Sequence, residues 1–285
     1  MTDHYKLVRE KYKRKSQDYW DSMAKKYKFS AILIPGDLEI KNLYYNLLHE
    51  RIMSKIFAEI PPHSKIVEIG CGVGRWSIKL AKAGMDVTAI DISKEMVKIA
   101  QKNAKKENAN IDFKISSADK LELKQNFYDY ALSVTVLQHI IDEKKRLKAI
   151  ENLVNSLKPG GKLILLERVG KDSGEFHVKP WTLEMWGSVF SGHGCVLEKR
   201  VGVDLSPFIN LINKLGSKIR YKNQPIKDFP GKVSVEESIS PKTLSAYKAS
   251  LKIATKLSKP IDYYMANLPL LKNKTSHNIL IFRKR

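Results

Sequence analysis

Three glycines and a carboxylate form the pattern in the sequence with the clearest chemical meaning. Gly70, Gly72 and Gly74 occupy every second position after a short apolar segment, and a helical pattern follows them. Because glycine has no Cβ, such a turn leaves bare main chain at a helix N-terminus, where a nucleotide-like ligand can rest. Asp91 ends the next apolar segment, seventeen residues after Gly74. The spacing predicts a nucleotide-like ligand held by the turn and the carboxylate.

The turn departs from two common nucleotide-binding motifs. The dinucleotide fingerprint would place a third glycine at position 75, where this chain has Arg75. The segment also lacks the Lys-Ser/Thr ending of a phosphate-binding P-loop. These two departures disfavour NAD and ATP as the ligand.

Strand and helix patterns alternate around the turn. Short apolar, β-branched segments predict strands, and apolar residues at three- to four-residue spacing predict helices. Strands separated by helices imply right-handed crossovers and a parallel sheet covered on both faces. We therefore predict a doubly wound α/β domain. The predicted strands are 64–70, 86–91, 111–117, 128–136, 162–169, 195–203 and 278–283, and the predicted helices are 75–83, 93–106, 142–157 and 181–190.

The segment 67–76 resembles motif I of the class I S-adenosylmethionine-dependent methyltransferases. Segments 116–119, 127–140 and 157–161 resemble later motifs of that family, in the same order. The resemblance covers residues 60–200 and implies a mostly parallel seven-stranded sheet. It also implies an enzyme that uses S-adenosylmethionine as its cofactor.

The resemblance assigns roles to individual residues. Asp91 matches the acid that accepts hydrogen bonds from both ribose hydroxyls, a role that suits an ionised carboxylate because it only accepts. Asp119 matches the acid that receives the adenine amino group. Glu68 is expected near the amino group of the cofactor, and Ile92 against the adenine face. The full set of expected cofactor contacts is Glu68, Gly70, Cys71, Gly72, Gly74, Asp91, Ile92, Ala118, Asp119 and Ser133.

Three side chains are candidates for a catalytic role. A sulfonium methyl donor requires a well-placed nucleophile, and a general base adds ~10²- to 10⁴-fold where that nucleophile is a hydroxyl. The candidates are His139, Glu167 and His177, and a packing role is the alternative for His139. The chain has no Asn-Pro-Pro-Tyr/Phe segment after the fourth strand and no Pro-Cys nucleophile, so O-methylation remains as the expected chemistry. No metal site is expected.

The net charge of +21 is concentrated in the flanks of the predicted core. Residues 1–30, 204–275 and 276–285 carry net charges of +5, +8 and +3, whereas the longer segment 31–203 carries +5. Basic flanks attract anionic partners such as RNA, phosphorylated sugars or acidic lipid surfaces. A lysine-rich genome or a heat-adapted surface explains the charge equally well.

Three hypotheses for the substrate follow. We expect a small-molecule, lipid or glycan methyl acceptor. An RNA acceptor (tRNA or rRNA) bound by the basic flanks is the second hypothesis, although the sequence contains no identifiable RNA-binding module. The third is a non-catalytic protein that binds S-adenosylmethionine or associates with an acidic membrane surface.

The flanks carry two further patterns. Tyr5, Tyr12 and Tyr19 lie at seven-residue spacing on a basic helical pattern. Segments 206–220 and 241–259 have apolar residues at helical spacing, and the second also has lysines along one side. We expect these flanks to roof the acceptor pocket and to choose the substrate. The expected domains are a basic helical arm at 1–55, the Rossmann-like core at 56–203, a basic helical insertion at 204–275 and the last core strand at 276–285.

Composition and cysteine count suggest a compartment. No run of roughly 18 apolar residues is present, and the first residues are charged where a signal peptide would be apolar. Two cysteines, Cys71 and Cys195, fit a reducing environment. We expect a cytoplasmic protein, with peripheral binding to the inner membrane surface as the alternative.

Overall fold

The chain divides into two compact units. The computed structural model describes residues 3–27, 39–172, 174–203, 221–223, 232–234, 245, 249, 253 and 275–285. The first unit comprises 1–21, 60–200 and 276–285, and the second comprises 22–59 and 201–275.

A seven-stranded sheet forms the centre of the first unit. The strands of the chain are β1 (Lys65–Ile69), β2 (Asp86–Asp91), β3 (Asp112–Ile115), β4 (Tyr128–Val134), β5 (Leu157–Arg168), β6 (Cys195–Gly202), β7 (Tyr221–Asn223), β8 (Lys232–Ser234) and β9 (His277–Lys284). The sheet has the order β3-β2-β1-β4-β5-β9-β6; β1 to β5 pair in parallel, and β9 is antiparallel to β5. The predicted doubly wound, mostly parallel seven-stranded sheet is confirmed.

The central strands are apolar on both faces because helices cover both sides of a doubly wound sheet. Val67, Ile69, Leu163, Leu165 and Leu280 are at most 1% exposed and belong to one continuous core. This rigid core fixes the carboxyl ends of the parallel strands, where the predicted site residues lie.

The helices begin at residues whose side chains accept a main-chain hydrogen bond. Ser93 accepts from the Met96 amide, Asp142 from Lys145 and Thr182 from Met185, as N-caps do. The helices are α1 (Asp3–Tyr27), α2 (Glu39–Phe57), α3 (Arg75–Lys82), α4 (Lys94–Lys106), α5 (Glu143–Ser156) and α6 (Leu183–Gly192).

The Asp142 cap supports a stability prediction. Replacing Asp142 with Ala removes the acceptor for the Lys145 amide, so we expect the free energy of unfolding to fall by about 1 kcal/mol. Urea denaturation followed by circular dichroism measures this. Glu151→Ala on the exposed side of α5 is the control, with an expected change within about 0.5 kcal/mol. Equal effects of the two substitutions would contradict the capping role.

The largest boundary difference is at the start of β5. We expected Pro159, Gly160 and Gly161 to separate α5 from a strand starting at 162, but β5 begins at Leu157. The pair Tyr128↔Leu157 precedes a register shift, after which Tyr130 pairs with Lys162. A bulge of this kind accommodates a proline and a left-handed glycine (Gly160, φ 76°) inside the strand.

The flanking segments are described in part. α1 has a non-helical residue at Lys15 (φ −125°, ψ 32°), and α2 of the second unit buries Leu48, Ile52 and Ile56 along one face. β7 and β8 form a separate antiparallel pair. Within the described ranges, no helix combines the length and the apolar character needed to cross a bilayer. The predicted helix at 206–220 lies outside the described residues, as does most of 241–259, of which Ser245, Ala249 and Ile253 are helical and exposed.

Candidate functional site

The predicted site residues meet at one edge of the sheet. Because β1, β2, β4 and β5 are parallel, their carboxyl ends lie side by side. Gly70 follows β1, Asp91 ends β2, Thr135 follows β4 and Glu167 lies at the end of β5. The strand order reverses its direction between the neighbouring strands β1 and β4. Open α/β sheets bind ligands at such a reversal point.

The glycine turn requires glycine for two reasons. Gly70, Gly72 and Gly74 have φ of 64°, 54° and 84°, values that side chains with a Cβ rarely adopt. A Cβ on Gly70 would also lie 2.2 Å from Cγ2 of Val136, in the segment after β4. The turn therefore packs directly against that segment and ends at the N-terminus of α3.

Asp91 joins the glycine turn to the start of α4. Its Oδ2 accepts from the Gly72 amide and its Oδ1 from the Ser93 amide, both at 2.8 Å. The side chain is 8% exposed, and burial raises the pKa of Asp91 to about 6, although both amide bonds favour ionisation. The Ile92 amide also favours the ionised form, and a carboxylate has about four lone-pair positions, so acceptor capacity remains for a ligand.

The side chains of Glu68 and Cys71, two expected cofactor contacts, are buried. Glu68 is 1% exposed, accepts a hydrogen bond from the Ser77 hydroxyl of α3, and has its pKa raised by burial to about 7. Burial also raises the pKa of the Cys71 thiol. Both side chains are thus buried, Glu68 links β1 to α3 through Ser77, and the expected contact of Glu68 with a ligand amino group stays a prediction.

The adenine-side candidates follow β2 and β3. Ile92 is half-buried directly after Asp91, and the Ser116 amide donates to the Asp91 carbonyl at 3.0 Å. Asp119 lies in a single 3₁₀ turn, where its Oδ1 accepts from the Ser117 hydroxyl. The carbonyl of Ala118 accepts from Asn152 of α5 at 3.1 Å. This brings Asp119 to the same edge of the sheet as Asp91.

The segment after β4 is strained and carries His139. Thr135 has φ 55°, an outlier for a β-branched residue. His139 Nδ1 lies 2.7 Å from the His177 carbonyl, which only accepts, so Nδ1 carries the proton and Nε2 keeps its lone pair. Nε2 lies 3.4 Å from Nε2 of Gln138, which donates. Burial lowers the pKa of His139 to about 4, so the ring is neutral at physiological pH.

Glu167 is placed differently from a catalytic base. It is fully buried, and Oε1 accepts from the Ser133 hydroxyl and from the amides of Val136 and Leu137 at 2.9–3.0 Å. Its Oε2 accepts from the Gln138 amide at 3.1 Å. With four protein donors, this carboxylate anchors main chain, which disfavours the expected proton transfer with a substrate. Ser133, an expected cofactor contact, is also fully buried and donates to Glu167.

His177 and the N-terminal arm form an aromatic cluster around His139. The His139 and His177 rings stack with centroids 5.3 Å apart, and Trp20 packs edge-on to His139 at 5.0 Å. Tyr12 and Tyr19 are 1% and 3% exposed and contact the His177 ring. Burial lowers the pKa of His177 to about 3. Of the predicted tyrosine series, the side chain of Tyr5 lies outside the described residues.

Asp21 is a site residue that sequence reasoning missed. Its Oδ1 accepts from the Ser93 hydroxyl and, at 3.2 Å, from the Glu95 amide, so the arm meets the first turn of α4 beside Asp91. The two carboxylates are close enough for Asp21 to raise the pKa of Asp91. Asp91 and Asp21 thus share one helix N-terminus, a partnership that residues 70 positions apart in sequence do not reveal.

Comparison with known proteins identifies the fold of this site. Residues 66–161 match a family model described as "Methyltransferase domain". A ubiquinone biosynthesis O-methyltransferase from Xanthomonas axonopodis is 33% identical over 106 residues, which are 37% of this chain and 43% of that protein. The chain therefore matches less than half of the length of this curated relative.

Two solved structures share the fold. A phosphoethanolamine N-methyltransferase from Haemonchus contortus in complex with S-adenosylmethionine has a TM-score of 0.56 at 18% identity, covering 94% of this chain and 59% of that chain. A magnesium protoporphyrin IX methyltransferase from Synechocystis with bound S-adenosylmethionine has a TM-score of 0.50 at 20% identity, covering 72% of this chain and 92% of that chain. At these identities the likeness concerns the fold alone.

Proposed function

We propose that this protein, whose residues 66–161 match a methyltransferase-domain model, is an S-adenosylmethionine-dependent methyltransferase that methylates a hydroxyl oxygen of a small-molecule, lipid or glycan acceptor. The observation that carries the proposal is Asp91 at the end of β2. It is held by the Gly72 and Ser93 amides, next to a turn with three left-handed glycines. The similarity to a ubiquinone biosynthesis O-methyltransferase supports oxygen as the acceptor atom.

The residues at this site fit S-adenosylmethionine. The remaining acceptor capacity of Asp91 suits the ribose hydroxyls, and Asp119 suits an adenine amino group. The main chain of Gly70, Gly72 and Gly74, with Cys71, would border the remaining ligand, and Ile92 and Ala118 would contact the base. S-adenosylmethionine supplies an electrophilic methyl group when bound. Glu68 and Ser133 support this site from the core, consistent with their burial.

His139 is the proposed base. The ring is neutral, so Nε2 can take the hydroxyl proton of an acceptor when that hydroxyl replaces the 3.4 Å contact with the Gln138 amide, while Nδ1–H stays bonded to the His177 carbonyl. His177 and Trp20 pack around the ring and limit its motion. We therefore propose that His177 orients His139 through its carbonyl and its stacked ring, and that it has no direct catalytic role, in contrast to the expectation from sequence.

The buried Asp91 predicts that cofactor affinity depends on pH. A pKa raised to about 6 leaves the carboxyl mostly protonated at pH 5, so its acceptor capacity is lost as the pH falls through 6. If only the ionised form binds, affinity for S-adenosylhomocysteine should be about tenfold weaker at pH 5 than at pH 8. Calorimetry at a series of pH values measures this. In Asp91→Asn the residual dependence should be much flatter, and an unchanged slope would contradict the assignment.

The methyl acceptor can be found with labelled cofactor. Purified protein is incubated with S-adenosylmethionine carrying a radioactive methyl group and with fractionated extract of the source cells. Label in small molecules, lipid or glycan that resists base treatment, as an ether does, supports the proposal. Label in RNA would support the alternative suggested by the basic flanks, and RNA binding should then fall steeply as salt rises toward 200 mM. No label in any fraction would contradict a methyltransferase function.

The flanks are proposed to choose the acceptor. The aromatic residues of α1 that pack around His139 and His177 place the arm beside the proposed base. Association with an acidic membrane surface would bring such a protein to a lipid acceptor. Vesicles with and without acidic lipid, sedimented with the protein, test this part of the proposal.

A further inference from the structure

The short 3₁₀ turn Leu137–His139 is held by charged side chains at both ends. At the start of the turn, the Glu167 carboxylate accepts hydrogen bonds from the amides of three consecutive residues, Val136, Leu137 and Gln138. A helical turn carries partial positive charge on its first amides, so a buried carboxylate is the stabilising partner there. This arrangement fixes the main chain immediately before His139.

Arg146 holds the other end of the turn. It lies on α5, is fully buried, and donates from Nε to the Ile140 carbonyl at 2.8 Å. Its guanidinium lies 4.5 Å from the centre of the Trp181 ring, and neither Nη atom has a hydrogen-bond partner among the described residues. Burial lowers the pKa of Arg146 to about 10, while the attraction of Glu167 favours its charged form, so the guanidinium remains charged at neutral pH. A cation at the carbonyl end therefore complements the carboxylate at the amide end.

Two further contacts fix the same turn. The side-chain oxygen of Gln138 accepts from the Arg168 amide at 2.7 Å, and the main-chain carbonyl of Gln138 accepts from the Lys179 amide at 2.8 Å. Thr135, just before the turn, keeps its left-handed conformation while its amide donates to the Leu166 carbonyl at 2.7 Å. Strained residues persist only where their surroundings over-determine them. The segment is thus built to hold one conformation.

We propose that Glu167 and Arg146 are positioning residues, which clamp the 3₁₀ turn so that His139 keeps its Nδ1–H on the His177 carbonyl and its Nε2 lone pair beside the Gln138 amide, where a substrate hydroxyl would replace that 3.4 Å contact. The clamp is a property of the fold. Only the use of His139 as a base rests on the function proposed above.

Nitrogen-detected NMR of the histidine rings tests the clamp without a substrate. The protein is labelled with ¹⁵N-histidine, and His139 is assigned among the seven histidines with a His139→Gln variant. Wild type should show the Nδ1–H tautomer. In Glu167→Gln we expect a mixture with the Nε2–H tautomer and titration closer to the usual range of about 6.5. Glu198→Gln, which loses only surface ion pairs with Lys162 and Arg283, should match wild type.

The same tautomer and titration in a folded Glu167→Gln protein would overturn the proposal, as would an Nε2–H tautomer in wild type. Arg146→Lys keeps the charge but loses the planar donor, and should shift the tautomer in the same direction. If Glu167→Gln does not fold, hydrogen exchange of wild type decides. The amides of Val136, Leu137 and Gln138 should exchange only through global unfolding, and faster local exchange would overturn the clamp.

Kinetics separate the clamp from the proposed function. With an identified acceptor, Glu167→Gln should lower kcat by about 10- to 100-fold while affinity for S-adenosylhomocysteine changes less than twofold. A loss of cofactor affinity with unchanged kcat would contradict a positioning role. A tautomer shift in a protein without methyl transfer would leave the clamp intact and reject the proposed function.

Discussion

Replacing Asp91 with Asn is expected to weaken the binding of S-adenosylhomocysteine by at least about 100-fold, or roughly 2.8 kcal/mol. Asn keeps the shape but loses the charge, and its amide group must face either the Gly72 or the Ser93 amide, donor against donor. Hydrogen bonds to charged groups contribute about 1.5–3 kcal/mol each, and two ribose hydroxyls are proposed to share this carboxylate. Isothermal calorimetry measures the change.

Asp112→Asn provides the matched control for Asp91. Asp112 begins β3, pairs at the surface with Lys114, and is exposed. The same change of charge there should leave the affinity within about twofold, because long-range effects of exposed charges are screened by salt. If both variants lost the same affinity, the change in net charge alone would explain the loss, and the proposed contact of Asp91 with the ligand would be contradicted.

Replacing Gly70 with Ala is expected to lower the free energy of unfolding by about 2–5 kcal/mol. Of this, about 1–2 kcal/mol comes from holding a Cβ at φ 64°. A further 1–3 kcal/mol or so comes from the clash with Val136, whose Cγ1, Cγ2 and Cβ all lie within 3.1 Å of the new atom. Denaturant titration of the purified variant gives the value.

Two further variants divide this cost. Gly84 also has a left-handed φ of 87° but has open space around a Cβ, so Gly84→Ala should cost only the conformational part. Adding Val136→Ala to Gly70→Ala should recover part of the loss. If Gly70→Ala costs no more than Gly84→Ala, the close approach of the turn to the segment after β4 is wrong.

Local sequence patterns predicted the fold because its signals are local. β2 was predicted at 86–91 and found at Asp86–Asp91, since alternating apolar residues bounded by Gly84 and Ser93 leave few other choices. The boundary of β5 failed for a non-local reason. Pro159 and Gly160 favour a turn by themselves, but pairing with β4 draws Leu157 into the sheet.

The site was predictable only in part. The glycine turn and Asp91 lie in a contiguous motif, and the structure brings them together through the Gly72 amide. The surroundings of Glu167 were not predictable, because its partners come from a segment 29–34 residues earlier. Arg146 follows the helical pattern of α5 as an ordinary charged residue, and only packing shows that it is fully buried.

We propose that the cofactor binds at the carboxyl edge between β1 and β4, with Asp91 as its main anchor. Backbone amide NMR during titration of the wild-type chain with S-adenosylhomocysteine tests it most directly. Saturable shifts at Gly70, Gly72 and Ser93, with none in α6, are predicted. Absence of saturable shifts, or shifts confined to residues away from this edge, would contradict the account.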